Sequence, residues 1–443
     1  MKNRYTRKVS AVLVSAALAT TLSGCMGTKS STVEVELQSN ESSSAPVVVT
    51  ETSEQATETV VTSEANLTTT GVIDTTDLFT ERDLTQTADL SDATYLTLTS
   101  GEDVSITAEG VYVLSGEASD VTITVDVDST EKVQIVLDGL SITNADAPAI
   151  YVLSADKVFV TTTEGSSDTL SVTGSFVADG DTNTDAVIFS KDDLVLNGLG
   201  TLTISSTDNG ISCKDDLKVT GGTYTISSTG DGLEANDSIS ISDGSFAISS
   251  QADALHAEND EDDTVGSVYI CGGSFDIDAA SDGIRATTYL QVDGGSFTIT
   301  AGEALEATYV QVNGGELKID ASDDGINATT KSSSIGTPAV EITGGTISIT
   351  MGAGDTDAID SNGNLCISGG TVDINAQFAF DFDGAGELTG GTVTVNGEQV
   401  TSITNSMMGG GMGMGGSPEG SMSGQMGGPE GGMGGPMGGG LQG

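Results

Sequence analysis

The sequence predicts an all-β protein whose central part is a right-handed parallel β-helix with coils of about 21 residues. Glycine turns recur between residues 200 and 400 at intervals of 20 to 30 residues. Apolar and polar residues alternate strictly after each turn, which indicates strands with one buried face. The composition agrees, because the 443 residues include 59 Gly and only 6 Pro, with many Ser, Thr and Asp.

Residues 1–24 have the pattern of a bacterial secretory signal, in which basic residues precede an apolar run that is too short to span a bilayer as a stable anchor. The run ends at Leu22-Ser23-Gly24-Cys25, which resembles a lipobox. We therefore expect Cys25 to be the lipid-modified first residue of a protein anchored on the extracellular face of the bacterial cell membrane. A plain signal peptide with a chance cysteine is the alternative.

Two low-complexity segments flank the predicted β region. Residues 25–76 consist mainly of Ser, Thr, Glu and Val, a composition that predicts a disordered tether. Residues 401–443 predict a disordered tail, since its last 37 residues hold 18 Gly and 8 Met. A Cu(I) site of Met thioethers in this tail is the chemical alternative.

The β region is predicted in two parts. Residues 77–200 have an irregular β pattern and are expected to form early coils and an N-terminal cap. Residues 201–400 predict regular coils, each with three short strands and three turns.

Three inward columns make up the predicted core. The large column is Phe246, Phe275, Phe297, Leu317, Ile347, Val372 and Val393, and the second is Ile248, Ile277, Ile299, Ile319, Ile349, Ile374 and Val395. The small column is Cys213, Ala235, Ala257, Ala286, Ala307, Ala328 and Ser361.

The Asp-Gly turns predict a metal site. Residues at equivalent positions of successive coils stack about 4.8 Å apart. Neighbouring carboxylates at that spacing repel by roughly 0.8 kcal/mol in water and about 3 kcal/mol at an effective dielectric constant of 20. Ca²⁺ relieves this repulsion and tolerates irregular oxygen ligation. The alternative is that each Asp only stabilises its turn. The candidate calcium ligands are Asp231, Glu234, Asp253, Asp282, Glu303, Glu306, Asp324, Asp357 and Asp360.

A candidate carbohydrate-binding strip consists of Tyr289, Gln291, Tyr309 and Gln311. These residues alternate with apolar ones, so we expect them to face outward, one coil apart. Sugar rings stack on aromatic rings and hydrogen-bond to amides. A chance pair of surface tyrosines is the alternative, and the absence of Trp argues against a broad flat platform.

The composition also restricts the classes of function. A formal charge of −51 excludes nucleic acid as a partner. His256 is the single histidine, and it lies in an outward column beside acidic residues, so we expect an ordinary surface residue and no Ser/His/Asp triad can be argued from the sequence. Cys213, Cys271 and Cys366 have no CxxC spacing and are expected to be small buried residues rather than a disulfide or zinc framework.

Short motifs follow one another in a fixed order between about residues 100 and 400. They are Gly110-Val111-Tyr112-Val113-Leu114-Ser115-Gly116, Val136-Leu137-Asp138-Gly139, Ala155-Asp156-Lys157-Val158, Gly210-Ile211-Ser212-Cys213-Lys214-Asp215-Asp216-Leu217, Ser322-Asp323-Asp324-Gly325-Ile326-Asn327-Ala328 and Ile359-Asp360-Ser361-Asn362-Gly363-Asn364. In these motifs the chain resembles a clostridial-type family of bacterial cell-surface carbohydrate-binding proteins with a pectate-lyase-like β-helix. The resemblance implies binding of plant cell-wall polysaccharide, either cellulose or acidic pectic chains, with Ca²⁺ held by carboxylates of the β-helix.

Three hypotheses of function follow. The first is a lipid-anchored, Ca²⁺-dependent carbohydrate-binding protein without catalytic residues. The second is a pectate-lyase-like polysaccharide lyase, for which Arg285 or Lys214 would be the base. The third is a structural adhesin or stalk that binds no glycan.

Overall fold

The computed structural model describes residues 71–354 and 356–405, and all regular elements of these residues are β-strands. The first eighteen are β1 Thr94–Thr97, β2 Val104–Ile106, β3 Gly110–Ser119, β4 Ile123–Asp126, β5 Lys132–Asn144, β6 Ile150–Ser154, β7 Lys157–Thr162, β8 Ser167–Val172, β9 Ala186–Ser190, β10 Leu194–Gly198, β11 Thr201–Ser205, β12 Asn209–Cys213, β13 Asp216–Val219, β14 Thr223–Ser228, β15 Leu233–Ala235, β16 Ser238–Ile241, β17 Ser245–Ser250 and β18 Leu255–Ala257.

The remaining eighteen strands continue the same order to the end of the described chain. They are β19 Ser267–Ile270, β20 Ser274–Ala279, β21 Asp282–Ala286, β22 Tyr289–Val292, β23 Ser296–Ala301, β24 Glu303–Ala307, β25 Tyr309–Val312, β26 Glu316–Ala321, β27 Ile326–Ala328, β28 Ala339–Ile342, β29 Thr346–Met351, β30 Asp357–Ser361, β31 Asn364–Ile367, β32 Thr371–Asn375, β33 Phe378–Phe382, β34 Gly386–Leu388, β35 Thr392–Val395 and β36 Glu398–Val400.

Each coil contributes one strand to each of three parallel ladders, as the sequence predicts. Ladder one is β7, β10, β13, β16, β19, β22, β25, β28, β31 and β34, and ladder two is β8, β11, β14, β17, β20, β23, β26, β29, β32 and β35. The long strand β5 pairs with the first strand of both ladders, so they form one sheet. Ladder three is the separate twelve-stranded sheet from β2 to β33. Only β36 pairs antiparallel among the named strands, against β35 at the C-terminal end.

The predicted columns form the core between the ladders. Phe246 pairs with Phe275, and Phe275 pairs with Phe297. Their ring centroids lie 4.7 and 4.6 Å apart with interplanar angles of 2° and 3°, and Tyr224 extends the stack. All seven members of the small column are buried, whereas Val395 at the end of the second column is only partly buried. The prediction of a core of stacked columns is therefore confirmed.

The glycine pairs are explained by two different requirements. In Gly294-Gly295, the second glycine has φ +104, a conformation that side chains rarely adopt. A Cβ on Gly294 would come within 2.5 Å of the backbone oxygen of Cys271 in the preceding coil. The first glycine thus allows close stacking of the coils, and the second allows the turn.

Residues 71–89 form a strap that crosses the outer side of ladder one. Near its middle, the Arg82 guanidinium lies 4.4 Å from the centroid of the Phe159 ring. Asp83 is fully buried and lies 3.6 Å from Lys157 Nζ. Gln86 accepts a hydrogen bond from the Gly198 amide, at 2.9 Å. Residues 71–76, which the sequence analysis assigns to the tether, are part of this packed strap.

The remaining sequence-based predictions concern the two ends of the chain and the cysteines. Cys25, the signal sequence and the Met-rich part of the tail lie outside the described residues. Asn405, within the predicted tail, donates hydrogen bonds to Asp381 and to the backbone oxygen of Phe382. Among the described residues, no helix is long and apolar enough to cross a membrane. The expectation for the cysteines is wrong at Cys271, which is exposed because it lies in the turn before Gly272.

Candidate functional site

The acidic turn residues lie along one edge of ladder three, as the sequence predicts. The chain places Asp231, Asp253, Asp282, Glu303, Asp324 and Asp357 at this edge in consecutive coils. Next to this edge, the outward residues of ladder three are in register from coil to coil. This second column is Glu234, His256, Arg285, Glu306, Asn327 and Asp360. The two columns together bring all nine candidate calcium ligands onto one surface, which we call the acidic edge.

Some carboxylates of the acidic edge stabilise the fold by accepting backbone hydrogen bonds. Asp231 Oδ1 accepts a hydrogen bond from the Asp253 amide at 2.8 Å, and Asp253 Oδ1 accepts one from the Asp282 amide at 2.9 Å. Asp324 Oδ1 receives the Asp357 amide in the same way, at 3.2 Å. Each of these carboxylates therefore uses one oxygen to join two coils. The alternative interpretation expects each Asp to bond the backbone of its own turn, whereas the bonded amide here belongs to the next coil.

At the N-terminal part of the acidic edge, His256 lies between two carboxylates. Its Nδ1 lies 2.8 Å from Asp231 Oδ2 and its Nε2 lies 2.8 Å from Glu258 Oε2. Burial alone would lower the pKa of His256, but the hydrogen bond and charge of Asp231 and the charge of Asp253 raise it to about 9. His256 is thus a protonated partner of Asp231 and Asp253, and it competes with a metal ion for them.

The middle of the acidic edge holds a compact set of oxygen ligands. Carboxylate oxygens of Asp282, Glu303 and Glu306 all lie within 4.8 Å of one another. Burial and the charges of Asp253 and Glu306 raise the pKa of Asp282 to about 8. Burial and the charge of Glu306 raise the pKa of Glu303 to about 7. These three carboxylates are so close and so buried that they can be charged together only where cations offset their mutual repulsion.

Asn327 adds an amide to this cluster. Its Nδ2 donates to Glu303 Oε2 at 3.0 Å, while its Oδ1 is buried without a hydrogen-bond partner. A buried amide oxygen without a partner is costly, and it is also a ligand type that Ca²⁺ uses. Lys331 Nζ, 2.7 Å from Glu306 Oε2, neutralises one side of the cluster. The donor set therefore fits a calcium ion held by Asp282, Glu303, Glu306 and Asn327.

The C-terminal part of the acidic edge has no nearby source of positive charge in the sequence, since no Lys or Arg follows Lys331. Burial, together with the charge of Asp360, raises the pKa of Asp324 to about 7. Burial and the charge of Asp381 raise the pKa of Asp360 to about 6. A second cation would be favoured here by charge, although the carboxylates are less closely grouped than in the middle cluster.

A further carboxylate group, which was not predicted from the sequence, lies at the opposite end of the ladder-three strands. Asp193, Asp215 and Asp216 have oxygens within 4.8 Å of one another. Burial and the charges of Asp193 and Asp216 raise the pKa of Asp215 to about 6. The signal was present as Ser190-Lys191-Asp192-Asp193 and Cys213-Lys214-Asp215-Asp216, which repeat the same pattern one coil apart.

A family model described as "Carbohydrate-binding domain-containing protein" matches residues 100–355 and 304–408, which is more than half of the chain. The chain belongs to this family.

One protein of similar sequence and one solved structure are similar to parts of this family member. A carbohydrate-binding domain-containing protein of Acetivibrio thermocellus is 37% identical over 126 residues, which are 28% of this chain and 44% of the relative. The chain thus spans less than half the length of that relative. A solved structure of the polysaccharide lyase-like protein from C. thermocellum, a gadolinium derivative, is 30% identical and covers 50% of this chain and 92% of its own, with a TM-score of 0.42.

The predicted carbohydrate-binding strip of this family member is in register but covered. Tyr289 pairs with Tyr309, and Gln291 pairs with Gln311. The two glutamines lie on the outward side as expected, but they are only 1% and 0% exposed and therefore are not accessible to a sugar. The strap is the reason, because the amides of residues 72 and 73 donate to Gln311 Oε1 and Gln291 Oε1, at 3.2 and 2.8 Å.

The two candidate bases of the lyase hypothesis are held in ion pairs. Lys214 Nζ lies 3.0 Å from Glu234 Oε1, and Arg285 Nη2 lies 3.0 Å from Glu258 Oε2. Burial would lower the pKa of Arg285, but Glu258 and its neighbouring carboxylates raise it. A general base needs its pKa moved toward the working pH, so this environment disfavours Arg285 in that role.

Proposed function

We propose that the chain is a surface-anchored, calcium-dependent carbohydrate-binding protein for plant cell-wall polysaccharide, with acidic pectic chains as the ligand of the acidic edge. Lipid attachment at Cys25 would supply the anchor. We also propose that the coil is right-handed, since parallel crossover connections are right-handed in about 98% of cases. Family membership supports carbohydrate binding.

The middle cluster of the acidic edge is the observation that best supports the proposed calcium dependence. Three carboxylates lie within 4.8 Å of one another beside the unpartnered oxygen of Asn327. Oxygen ligands of this kind are those that Ca²⁺ prefers. Protein cations meet only part of the charge, because Lys331 and Arg285 contact Glu306 while the pKa values of Asp282 and Glu303 remain raised.

Calcium also explains how an acidic protein would bind an acidic polymer. A chain with 65 acidic and 14 basic residues repels a polyuronate at long range. A divalent cation on the acidic edge offsets the local negative charge and offers its remaining coordination positions to uronate carboxylates. Binding would therefore proceed through bridging Ca²⁺.

The test is retention of polygalacturonate by the full chain, measured by affinity electrophoresis. We expect retention in millimolar Ca²⁺ and its loss when EDTA is added, with recovery on adding excess Ca²⁺. Retention that persists in EDTA would contradict the bridging role. A parallel assay at 235 nm checks the lyase alternative, since unsaturated uronate would accumulate if the chain were an eliminase.

A further inference from the structure

The imidazole of His256 lies where the oxygens of two carboxylates converge. Its Nδ1 is 2.8 Å from Asp231 Oδ2 and 3.6 Å from Asp253 Oδ2. One donor atom from each of these three residues lies within 4.8 Å of the other two. With metal–ligand bonds of about 2.0–2.1 Å, the ligands of a tetrahedral Zn²⁺ are about 3.3 Å apart. The two distances from Nδ1 fall on either side of that value, so the three atoms are spaced as ligands of one ion.

Both carboxylates are fixed in orientation by their other oxygen. Asp231 Oδ1 accepts the Asp253 amide, and Asp253 Oδ1 accepts the Asp282 amide. Each Oδ2 is therefore the oxygen that remains to face His256. Carboxylates that bind metals are commonly held in this way, by hydrogen bonds to groups that do not touch the ion. The backbone of two successive coils thus positions the two oxygen ligands before any ion arrives.

The far side of the imidazole ring supplies a separate indication of a metal ligand. Its Nε2 lies 2.8 Å from an oxygen of Glu258, the first residue of the inserted loop. A histidine that binds a metal almost always donates its other ring N–H to a carboxylate, a carbonyl or water, which fixes the ring and its tautomer. Donation from Nε2 to Glu258 leaves the lone pair of a neutral ring on Nδ1, directed at Asp231 and Asp253.

Charge and access also favour an ion at this point. Asp231, Asp253 and Glu258 contact His256, and Arg285 contacts the last two of these carboxylates. With a neutral imidazole, one divalent ion and Arg285 together balance the three negative charges. A cavity of about 430 Å³, lined in part by Asp231, His256 and Glu258, opens beside the donor atoms. An ion can enter through this cavity and keep a water molecule as a further ligand.

We propose that Asp231, Asp253 and His256 bind Zn²⁺. Imidazole nitrogen is a ligand for Zn²⁺ and other transition metals, whereas Ca²⁺ takes oxygen ligands, so this site differs in kind from the middle cluster. Zn²⁺ takes the place of the proton on Nδ1, which passes to solvent. Two of the nine predicted calcium ligands are thereby assigned to another metal. The inference is independent of the proposed function, because none of the three ligands belongs to the middle cluster.

The experiment follows the ring nitrogens of His256 by NMR in the full chain, prepared without a histidine tag and kept in excess Ca²⁺. Since His256 is the single histidine, its two ring signals are unambiguous. We expect an equimolar amount of Zn²⁺ to shift the Nδ1 signal and to leave Nε2 as the protonated nitrogen. Raising the Ca²⁺ concentration should not reverse this change, because Ca²⁺ competes poorly for a nitrogen ligand.

Calorimetric titration of Zn²⁺ in excess Ca²⁺ tests the ligand set with variants. Glu258→Ala should raise the dissociation constant by roughly tenfold to a hundredfold, the usual effect of losing the group that orients a metal-binding histidine. His256→Gln removes the nitrogen ligand and should raise it further. Glu316→Ala is the matched control, since it removes the same side chain from an exposed position on β26. This control is expected to bind Zn²⁺ as the wild type does.

Three outcomes would overturn the inference. These are an Nδ1 signal that Zn²⁺ leaves unchanged, a shift confined to Nε2, and equal Zn²⁺ affinity of the wild type and His256→Gln, which would place the ion on other residues. The NMR measurement uses the wild type, so it decides the question even if a variant does not fold. Loss of Ca²⁺-dependent polygalacturonate retention counts against the proposed function alone, because Zn²⁺ binding is measured without the polymer.

Discussion

The side-chain amide of Asn327 contributes both to the fold and to the proposed calcium site. Its Nδ2 donates a hydrogen bond to Glu303, and its Oδ1 is buried without a hydrogen-bond partner. Most buried polar atoms in proteins have a partner, and an exception often marks a bound ion or water. This single atom distinguishes the middle cluster from acidic residues that are merely solvated.

At this scale we predict that Glu303→Gln weakens calcium binding. Gln keeps the shape of the side chain and its contact with Asn327 but removes one charge, and ligand charge count sets the affinity of oxygen-ligand sites. We expect the dissociation constant measured by calorimetry to rise by roughly tenfold or more. Glu316→Gln, an exposed change on β26, is the control. Equal dissociation constants for both variants would remove Glu303 from the site.

At the scale of the element, each strand is stable only because the next coil covers it. The aromatic stack illustrates this, since Phe275 contacts the rings of Phe246 and Phe297 in the two adjoining coils. Repeat proteins of this type derive their stability from such interfaces between neighbours. A cavity in one coil therefore weakens two interfaces.

We predict that Phe275→Ala lowers the free energy of unfolding by about 3–5 kcal/mol, the usual cost of truncating a buried aromatic residue. Phe275 is 2% exposed, so little solvent can fill the space. Chemical denaturation of both proteins checks the value. Thr298→Ala, an exposed outward change on the next strand of the ladder, is expected to stay within about 0.5 kcal/mol of the wild type.

Over the whole molecule, positive charge is unevenly distributed along the acidic edge. Lys214, His256, Arg285 and Lys331 all lie at ladder three in the middle coils and contact its carboxylates. The coils after Lys331 contain no basic residue. The protein thus carries its own counter-charges in one part of the edge and depends on solvent or bound cations in the rest.

We predict that the metal-free protein is more stable at pH 5 than at pH 8. The folded pKa values of Asp282, Glu303 and Asp324, at about 8, 7 and 7, exceed the value of about 4 in an unfolded chain, so the folded state binds more protons between these limits. Stability therefore falls as pH rises through this window. His256 acts in the same direction, since its folded pKa of about 9 exceeds 6.5.

Thermal unfolding in EDTA at the two pH values provides the measurement. The melting temperature should be higher at pH 5, and adding Ca²⁺ should raise it more at pH 8 than at pH 5, since the ion competes with protons. A higher melting temperature at pH 8 without metal would show that these carboxyls are not the dominant groups.

The sequence was sufficient for the coils because their signals are local and repeated. A large buried residue, such as Phe275, and a pair of glycines recur in coil after coil, so the same structural signal is repeated many times in the sequence. The burial of Gln291 could not be predicted in this way. Alternation shows that Gln291 points away from the core, but its cover is a non-repeated segment more than 200 residues away in sequence. The pairing of His256 with Glu258 is a different case, since only two residues separate them. Glu258 begins an inserted loop, and the repeat pattern does not predict where the side chains of an insertion lie.

The strap has a mechanical consequence. Its first described residues contact β25 and β22, and its later residues contact β13, β10 and β7, so it runs back along the coil stack toward the N-terminal end. Tension applied to the chain before residue 71 would enter the protein at mid-stack, near Gln311. It would have to peel the strap away bond by bond before it could pull on β1, so the first coils are shielded from a load that would otherwise unwind them.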